Sequence, residues 1–424
     1  MTENVFVLGL DEGNAELLRG LPDAADYRFH ALLKVEDLRI GYTDFRRCLE
    51  DARQQLDAFD GPVDAVTGYW DFPVTSLIPV LCERYGLPST SLESIVKCEH
   101  KYWSRLEQTK VTDACPRFGL VDLAATPPRL PDGLEFPVWL KPVKSTSSKL
   151  AYQVGDEKEL ASAVDRIRAG VGQVGGPFDA VLRRVSLPPE VADVGAQACL
   201  AEEAVCGAQV TVEGYRHHHE PHVYGVVDSV CYPGTSCFLR YQYPSTLPAH
   251  LQRRVSDVAK AVVARMGLRS TTFDIEFFVD TASDRVWLLE VNPRLSQSHA
   301  RLFEAVDGMS HLHCMVTLAL GRPPHMPRGE GRAAVAAKWF VRRFTDGVVR
   351  RVPSPEEIEK LEREVGDVVI DLTTERGARL SEQYARDSYS YELADIHVSA
   401  DSQQELVDKY ERCVSALRFE IDDG

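Results

Sequence analysis

The chain has 424 residues, of which 44% are hydrophobic and 26% are charged. This length exceeds what one ordinary core accommodates, so we expect about two to four lobes, and the composition is that of a globular protein. The formal net charge of −16 argues against a general affinity for nucleic acid or for anionic membranes, because both require a basic surface.

The ten cysteines are scattered singly, without a C-x-x-C pair or a Cys/His cluster at zinc spacing. A disulfide framework and a structural zinc site are therefore disfavoured, and we expect reduced thiols. No stretch of sequence resembles a membrane span, and the N-terminus enters a predicted strand without the features of an export signal. These patterns predict a cytoplasmic protein whose partners are small molecules rather than nucleic acids or membranes.

Residues 1–94 alternate short apolar runs with segments of helical periodicity. The predicted strands are residues 5–10 and 63–67, and the predicted helices lie near residues 14–19, 45–59 and 76–85. Such alternation is typical of a small parallel α/β domain. Gly9 and Gly13 provide two of the three glycines of a dinucleotide-binding loop, so a Rossmann nucleotide site is disfavoured.

Residues 94–121 are predicted to be largely helical, and they contain Lys101. A short strand is predicted at residues 138–140, and Lys141 and a proline follow it directly. A lysine at the end of a buried strand is costly to place unless an anion meets it, and phosphate is the natural partner. For Lys101 taken alone, a solvated charge on a helix is the alternative.

A serine-rich loop, K-S-T-S-S-K at residues 144–149, follows this strand. The hydroxyl groups of Ser147 and Ser148 can donate hydrogen bonds to phosphate oxygens, as can backbone N–H groups. The flanking lysines add positive charge. Because the loop lacks glycine, we expect it to be stiffer than a glycine-rich phosphate loop.

The middle of the chain alternates strand-like and helical segments. The predicted elements are a helix near residues 157–169, a Gly/Pro-rich connection, a segment C-L-A-E-E-A-V-C-G-A-Q-V-T-V-E at 199–213, a strand at 224–230, a Pro-interrupted connection at 239–248 and a helix at 251–266. The run R-H-H-H at 216–219 invites a metal interpretation, but adjacent side chains point in different directions and cannot all bind one ion. An exposed turn is favoured there, and no role is assigned to Arg240.

Two apolar runs at residues 273–279 and 286–291 are rich in β-branched and aromatic side chains and are separated by a polar segment suited to a turn. This pattern predicts a β-hairpin in which Glu276, Glu290 and Asn292 point to the same face. Oxygen atoms held close together repel one another unless a cation lies between them. Mg²⁺ prefers oxygen ligands and typically takes one or two carboxylates while phosphate oxygens complete its octahedron. We therefore predict that these three residues bind a metal ion, since a merely solvated hairpin has little reason to carry them.

The part of the chain that follows the hairpin contains a further set of predicted strands and helices. His299, His311 and His313 are each expected to pack in the core or to line a pocket rather than to act as catalytic bases. The later predicted elements are a helix at 310–320, strands at 333–344, 347–352, 368–372 and 394–399, and helices at 355–364 and 402–417.

The acidic strand, the turn and the run L-E-V-N-P-R at 289–294 resemble the metal-binding hairpin of the ATP-grasp superfamily, which includes biotin carboxylase, carbamoyl phosphate synthetase, D-alanine:D-alanine ligase and the L-amino acid ligases. The resemblance implies the ATP-grasp fold, with both α/β and α+β parts. Its expected parts are an N-terminal parallel α/β domain at 1–94, an ATP-grasp domain of two lobes at 95–330 with a hinge near 200–207, and a small α+β C-terminal domain at 331–424. The implied cofactors are ATP and Mg²⁺, with Mn²⁺ as an alternative ion.

The same resemblance assigns nucleotide contacts along the chain. Lys101 and Lys141 would face the nucleotide, and Glu202 with the backbone of Val205 would contact adenine. Gln209 stands at a ribose-binding position where Glu is common. Gln can still form a hydrogen bond to a ribose hydroxyl, so we expect weaker nucleotide binding rather than none.

Arg294 follows the metal strand directly and, by the resemblance, would face the reacting phosphoryl or acyl group. Its planar guanidinium matches the oxygens of a carboxylate or an acylphosphate. A structural ion pair with a neighbouring acid is the alternative for this residue.

The activity implied by the resemblance is ATP-dependent ligation of a carboxylate to an amine through an acylphosphate, with ADP as product. The expected partners are a small-molecule carboxylate and a small-molecule amine, with an amino acid or small peptide among them. The alternatives are a carboxylate–thiol ligase, a carboxylase-type enzyme and a nucleotide-binding protein without catalysis. A homodimer is the assembly considered.

Overall fold

The computed structural model describes residues 2–39, 44–145, 149–383 and 390–423. Helices and strands alternate along all four of these ranges. No helix within them is long and apolar enough to cross a membrane.

The N-terminal part of the chain is a parallel α/β layer. Its elements are β1 (Glu3–Leu8), α1 (Glu12–Arg19), β2 (Tyr27–Leu32), α2 (Val35–Arg39), α3 (Phe45–Asp57), β3 (Ala65–Thr67) and α4 (Val74–Tyr85). The strands pair in parallel in the order β2, β1, β3. Phe6 and Leu8 of β1 pack into one apolar cluster, whereas Val5 and Val7 pack into another. Burial on both faces is typical of a parallel sheet between helices, and it confirms the predicted α/β fold of this part.

A smaller antiparallel lobe follows. Its elements are α5 (Leu92–Glu99), α6 (Lys101–Gln108), β4 (Phe118–Val121), β5 (Val138–Pro142), β6 (Tyr152–Val154), α7 (Glu157–Leu182), α8 (Pro189–Ala192) and β7 (Cys199–Glu203). The strands lie in the order β4, β7, β5, β6. Apolar side chains of α7, including Leu160, Val164 and Ile167, pack with Val138 and Leu140 of the sheet.

The Gly/Pro-rich connection expected after residue 169 is wrong, because α7 continues through it to Leu182. Glycine is a poor helix former in isolation, but it permits a close approach of backbones. A Cβ atom on Gly175 would lie 2.2 Å from the carbonyl oxygen of Ala196, so the segment before β7 packs directly on the helix. This tertiary contact outweighs the local propensity to end the helix.

A large antiparallel sheet forms the centre of the molecule. Its first elements, with the helices that pack on them, are β8 (Ala208–Arg216), β9 (Pro221–Cys231), β10 (Phe238–Tyr243), α9 (Ala249–Met266), β11 (Thr271–Asp280), β12 (Arg285–Asn292), α10 (Ala300–Asp307) and α11 (Leu312–Ala319). The connection expected at 239–248 is wrong in its first half, where β10 pairs with β9. Pro244 follows the last residue of β10, where a missing N–H does not interrupt the ladder.

The C-terminal part continues this sheet. Its elements are β13 (Val335–Arg343), β14 (Gly347–Arg351), α12 (Pro355–Val365), β15 (Val368–Leu372), β16 (Tyr391–Ala400), α13 (Gln403–Ala416) and β17 (Glu420–Asp423). The strand order of the large sheet is β12, β11, β8, β9, β10, β13, β16, β15, so the ladder crosses the predicted boundary at 330/331 through the β10–β13 pair. The strands β14 and β17 pair with each other in a separate two-stranded sheet. Trp339 of β13 stacks on Tyr410 of α13 with ring centroids 4.5 Å apart.

Alternation along β11 decides which side chains remain available for chemistry. Phe273, Ile275 and Phe277 are fully buried in the same apolar cluster as the inner face of α9. Burying each such side chain stabilises the fold by about 1.5–3 kcal/mol, so the register of this strand is strongly fixed. The residues between them, Asp274 and Glu276, therefore lie on the opposite face of the sheet.

Candidate active site

The structure brings the three predicted metal ligands together on the β11–β12 hairpin. Glu276 lies opposite Glu290, and Asn292 lies opposite Asp274. The Nδ2 atom of Asn292 donates to Asp274 Oδ1 at 2.8 Å, and Gln209 Nε2 donates to Glu276 Oε2 at 3.0 Å. The hairpin prediction is confirmed, and these contacts leave a compact group of carboxylate and amide oxygens on one face.

Asp274 is a member of this group that the sequence analysis missed. It precedes Glu276 by two residues and so shares its face, a signal that was present in the alternation. Burial and the negative charge of Glu213 raise the pKa of Asp274 well above its ordinary value. Burial and the neighbouring Glu290 raise the pKa of Glu276 to about 7. Both shifts indicate negative charge without enough compensation, which fits a position for a divalent cation.

Lys101 forms an ion pair with Glu290 and is not a solvated helix charge, since its side chain is only 11% exposed. It lies at the first residue of α6, immediately after the break between α5 and α6 at His100. The Nδ1 atom of His100 accepts a hydrogen bond from the Trp103 N–H at 3.2 Å, which caps α6. The Lys101 N–H donates to the carbonyl of Val143 at 2.8 Å, which fixes the start of the helix against the residue that follows β5.

Lys141 lies in a buried triad with Glu202 and Arg105. Its Nζ atom is 2.5 Å from Glu202 Oε2, and Arg105 Nε is 2.7 Å from Glu202 Oε1. Arg105 also donates to the carbonyl oxygens of Leu288 and Leu289 at 2.8 Å each, which ties the small lobe to the hairpin. Burial opposes ionisation of Glu202, but the two cations outweigh it and lower its pKa to about 2.

The structure gives the surroundings of some of the predicted nucleotide contacts. The carboxylate of Glu202 is occupied by Lys141 and Arg105, and Val205 lies in the half-buried turn between β7 and β8. Gln209 is the second residue of β8, and its side chain donates to Glu276 in the carboxylate group. The adenine and ribose contacts stay predictions, and Ser147 and Ser148 lie outside the described residues.

Arg294 connects the hairpin to the N-terminal part of the chain. Its Nε atom donates to Asp71 Oδ1 at 2.7 Å, and its side chain is 16% exposed. Burial alone would lower the pKa of Arg294, but Asp71 and Asp274 raise it, so the guanidinium stays charged. The ion pair that the sequence offered as an alternative is therefore present, and Arg294 also borders a cavity next to the carboxylate group.

This cavity has a volume of about 90 Å³. It is lined by residues of β8 to β11 and of the segment that follows β12. Its walls are formed by Thr211, Ser229, Phe238, Tyr241, Asp274, Glu276, Arg294, Ser296 and His299. The predicted position of His299 in a pocket wall matches this lining.

Other residues singled out in the sequence lie apart from this cavity. The guanidinium of Arg240 packs over the ring of Trp339 at 5.4 Å. Arg216 ends β8, and residues 217–219 lie in the turn before β9, where His218 and His219 are exposed. Within the described residues, the metal-ligating side chains that converge in a group of three are Glu213, Asp274 and His299, so the exposed histidines form no such group there.

A family model described as an ATP-grasp domain matches residues 134–300. No curated protein was found with a matching sequence. The structure of the L-amino acid ligase from Bacillus licheniformis is similar over 100% of this chain and 99% of its own, with a TM-score of 0.73 and 16% identity.

Two further solved structures share the architecture. Biotin carboxylase from Campylobacter jejuni is similar over 99% of this chain and 92% of its own, with a TM-score of 0.64 and 14% identity. The biotin carboxylase domain of 2-oxoglutarate carboxylase from Hydrogenobacter thermophilus, solved with MgADP and bicarbonate, covers 99% of this chain and 91% of its own, with a TM-score of 0.66 and 13% identity. At such identities, the likeness concerns the fold.

Proposed function

This chain carries an ATP-grasp domain and has the ATP-grasp fold, and on that premise we propose that it is an ATP-dependent carboxylate–amine ligase that forms ADP. The observation that carries the proposal is the convergence of Glu276, Glu290 and Asn292 with Lys101 and Arg294 at one face of the hairpin. Phosphoryl transfer needs mainly positioning and charge neutralisation, which such a set of side chains can supply.

Mg²⁺ and ATP fit the side chains at this face. Glu276, Glu290 and Asn292 would hold the ion, whose chemistry when bound is to neutralise phosphate charge. Asp274 accepts a hydrogen bond from Asn292 and so orients that amide. The neighbouring fold supports this assignment, because the domain from Hydrogenobacter thermophilus was solved with MgADP.

The positively charged side chains at this site have distinct roles in the proposed reaction. Lys101 lies against Glu290 and is placed to bind a phosphate oxygen at the same face. Arg294 presents a fork of donors beside the cavity, where it can bind the carboxylate that receives the γ-phosphoryl group and then the acylphosphate. Lys141 extends the positive charge toward the nucleotide from the small lobe.

Amide formation is the use of the acylphosphate that we propose. The L-amino acid ligase is similar to this chain with a TM-score of 0.73, whereas biotin carboxylase has a TM-score of 0.64. An amino acid or small peptide is accordingly the proposed substrate class on at least one side of the new bond.

The proposal is tested by measuring nucleotide products with each of the common amino acids as the carboxylate and hydroxylamine as a trapping nucleophile. The expected result is ADP, phosphate and a hydroxamate that form only with a productive carboxylate. A matched reaction with Glu290→Ala provides the background. AMP and pyrophosphate as products would exclude the acylphosphate route, and a thioester formed with a thiol in place of the amine would identify a carboxylate–thiol ligase.

A further inference from the structure

Asp274 is a buried carboxylate in β11, and one of its oxygens has no partner. The residue is 4% exposed, and its Oδ1 atom accepts a hydrogen bond from the Asn292 amide at 2.8 Å. Among the residues that the structure describes, none donates a hydrogen bond to Oδ2 or forms an ion pair with it. A largely buried acceptor without a donor is costly, and a donor on a ligand would remove that cost.

The part of Asp274 that reaches the 90 Å³ cavity is its side chain. At this residue β11 pairs with β8 on one edge and with β12 on the other, so its backbone lies inside the ladder. Asp274 nevertheless lines the cavity. Its Oδ1 atom is held by Asn292, whereas Oδ2 is absent from the polar atoms that are both unpartnered and fully enclosed. The oxygen with access to the cavity is therefore Oδ2.

Arg294 lines the same cavity and also keeps donors without a partner. Its Nε atom donates to Asp71 at 2.7 Å and its Nη1 atom to the carbonyl of Leu295 at 3.2 Å, and in the described ranges nothing accepts from Nη2. Burial lowers the pKa of Arg294, whereas Asp71 and Asp274 raise it, so the charge of Asp274 reaches the guanidinium. The two side chains form no ion pair with each other within those ranges. Opposite charges thus border one small space without neutralising each other directly.

Glu276, the second acid of the wall, is not available to a guest. Its Oε2 atom accepts a hydrogen bond from Gln209 at 3.0 Å, and the carboxylate is a proposed ligand of the metal ion, which balances its charge. Once Glu276 is assigned to the ion, Asp274 and Arg294 remain as one acid and one base of the wall. Such a wall suits a guest that carries both a positive and a negative group.

The size of the cavity limits this guest. A protein cavity of about 150 Å³ binds benzene, so a volume of about 90 Å³ suits roughly four to five non-hydrogen atoms. The main-chain part of an α-amino acid has this size, with an ammonium and a carboxylate separated by one carbon. The hydroxyl groups of Thr211, Ser229 and Ser296 also line the cavity and can accept the other protons of an ammonium group.

We propose that this cavity binds the amino acid whose carboxylate is activated, with Arg294 on the carboxylate and Asp274 on the α-ammonium group. Asp274 is then the residue that determines specificity for an α-amino acid over other carboxylates. The inference rests on the proposed function, because it names the group that recognises the carboxylate substrate of that reaction.

The assignment also fixes the position of this amino acid in the product. An oxygen of its carboxylate attacks the γ-phosphorus of ATP, the bond from that phosphorus to the ADP oxygen breaks, and no proton moves in this step. The ammonium group keeps its three protons beside Asp274, and a protonated nitrogen has no lone pair with which to attack an acyl carbon. The amino acid bound here therefore becomes the N-terminal residue of the amide product.

The test compares carboxylates that differ only at the α-position. Hydroxamate formation from ATP and hydroxylamine is measured with the most productive amino acid of the panel, with its des-amino analogue and with its α-hydroxy analogue, which for alanine are propionate and lactate. The hydroxy analogue keeps the size of the ammonium group but lacks its charge. For the unmodified chain, we expect kcat/KM to be at least about a hundredfold higher for the amino acid than for either analogue, because each analogue leaves Asp274 without a charged partner.

Asp274→Asn keeps an oxygen that can accept the Asn292 amide but loses the negative charge. We expect kcat/KM for the amino acid to fall by about ten- to a thousandfold, mainly through KM, while the values for the two analogues change by less than about threefold. Asp228→Asn is the matched control, because Asp228 is also a buried acid of the large sheet but lies outside the cavity wall. This control should keep the preference of the unmodified chain for the amino acid.

If Asp274 serves only to orient Asn292 for the metal ion, Asp274→Asn will lower kcat/KM equally for all three carboxylates and raise the Mg²⁺ concentration that turnover requires. That result would overturn the inference, as would a loss of discrimination of the same size in Asp228→Asn. Equal use of the amino acid and its des-amino analogue by the unmodified chain would also overturn it, and this comparison stands even if Asp274→Asn does not fold. Absence of ATP-dependent hydroxamate with every carboxylate would instead overturn the proposed function and this inference with it.

Discussion

Two lysine–glutamate pairs in the active site differ in their surroundings. Lys101 pairs with Glu290, whose side chain is 37% exposed, and Lys141 pairs with Glu202, whose side chain is 4% exposed. Glu202 is also bound by Arg105, which in turn donates to two backbone carbonyls of β12. The first pair faces the open side of the site, whereas the second is enclosed between the small lobe and the hairpin.

The difference shows that the same residue types can serve two purposes. A partly exposed pair contributes little net stability and exchanges readily for other partners, such as a phosphate for the lysine and a cation for the carboxylate. A buried pair is difficult to break, because removal of one member leaves an uncompensated charge in the interior. We therefore expect changes at Glu290 to affect turnover and changes at Glu202 to affect folding.

The largest effect is expected for Glu290→Ala, which removes a proposed metal ligand. ADP release with a productive carboxylate should fall by at least about a thousandfold, while the melting temperature changes little, since Glu290 lies at a partly exposed position. Glu203→Ala, an acid of β7 that pairs with the exposed Arg117, is the control for loss of a charge. Activity retained by Glu290→Ala at limiting Mg²⁺ would place the ligands elsewhere.

Glu202→Gln should lower the free energy of unfolding by about 3–5 kcal/mol, because Lys141 and Arg105 then remain buried without their counter-charge. Urea unfolding followed by circular dichroism measures this change. Glu203→Gln on the same strand should cost at most about 1 kcal/mol, as is usual for an exposed ion pair. Equal effects of the two substitutions would contradict the contrast between buried and exposed pairs.

The same carboxylate predicts a pH dependence. The two cations depress the pKa of Glu202 in the folded chain to about 2 from an ordinary value of 4.5, even though burial opposes this. Its contribution to stability is therefore complete above about pH 4.5 and is lost as the pH falls toward 2. In Glu202→Gln, this part of the acid dependence should disappear from unfolding curves recorded across that range.

Arg294→Lys keeps the charge but loses the planar fork, so kcat should fall by about ten- to a thousandfold with nearly unchanged ATP affinity. Because Arg294 also pairs with Asp71, the melting temperature of the variant must be measured with kcat. Asp71→Asn removes the same ion pair and leaves the guanidinium in place. If Asp71→Asn lowers kcat as much as Arg294→Lys does, the ion pair and not the fork accounts for the effect.

The smallest effects are expected at the two lysines. Lys141→Met and Lys101→Met each remove a charge that we expect to face the nucleotide, so ATP affinity measured by calorimetry should fall by about 1–3 kcal/mol in each. Only Lys141→Met should also lower stability, because it breaks the buried triad. Unchanged ATP affinity would mean that the lysine in question has a structural role.

The hairpin could be predicted from the sequence for a physical reason. Its two strands are adjacent along the chain, and alternation along each strand fixes which side chains share a face. Glu276, Glu290 and Asn292 were therefore placed correctly relative to one another without knowledge of any distant contact. The same alternation also places Asp274 on that face.

Local patterns failed where the deciding contact came from elsewhere in the chain. The helix α7 continues through its glycines because Ala196 packs on Gly175. The strand β10 pairs with the preceding strand β9 on one edge and with the distant strand β13 on the other. Ala196 and β13 both lie outside the segments whose pattern was read, so propensity alone favoured loops in both places.

The sequence by itself determined the alternating elements, the acidic hairpin and the residue types of the site, because all of these depend on neighbours along the chain. Only the tertiary structure decided their partners. Arg294 meets Asp71 across 223 positions, Arg105 meets Glu202 across 97, and His299 meets Glu213 across 86. Burial then determines which of these charged side chains can exchange its partner for a ligand and which cannot. The cost of an unpaired charge rises when water is excluded.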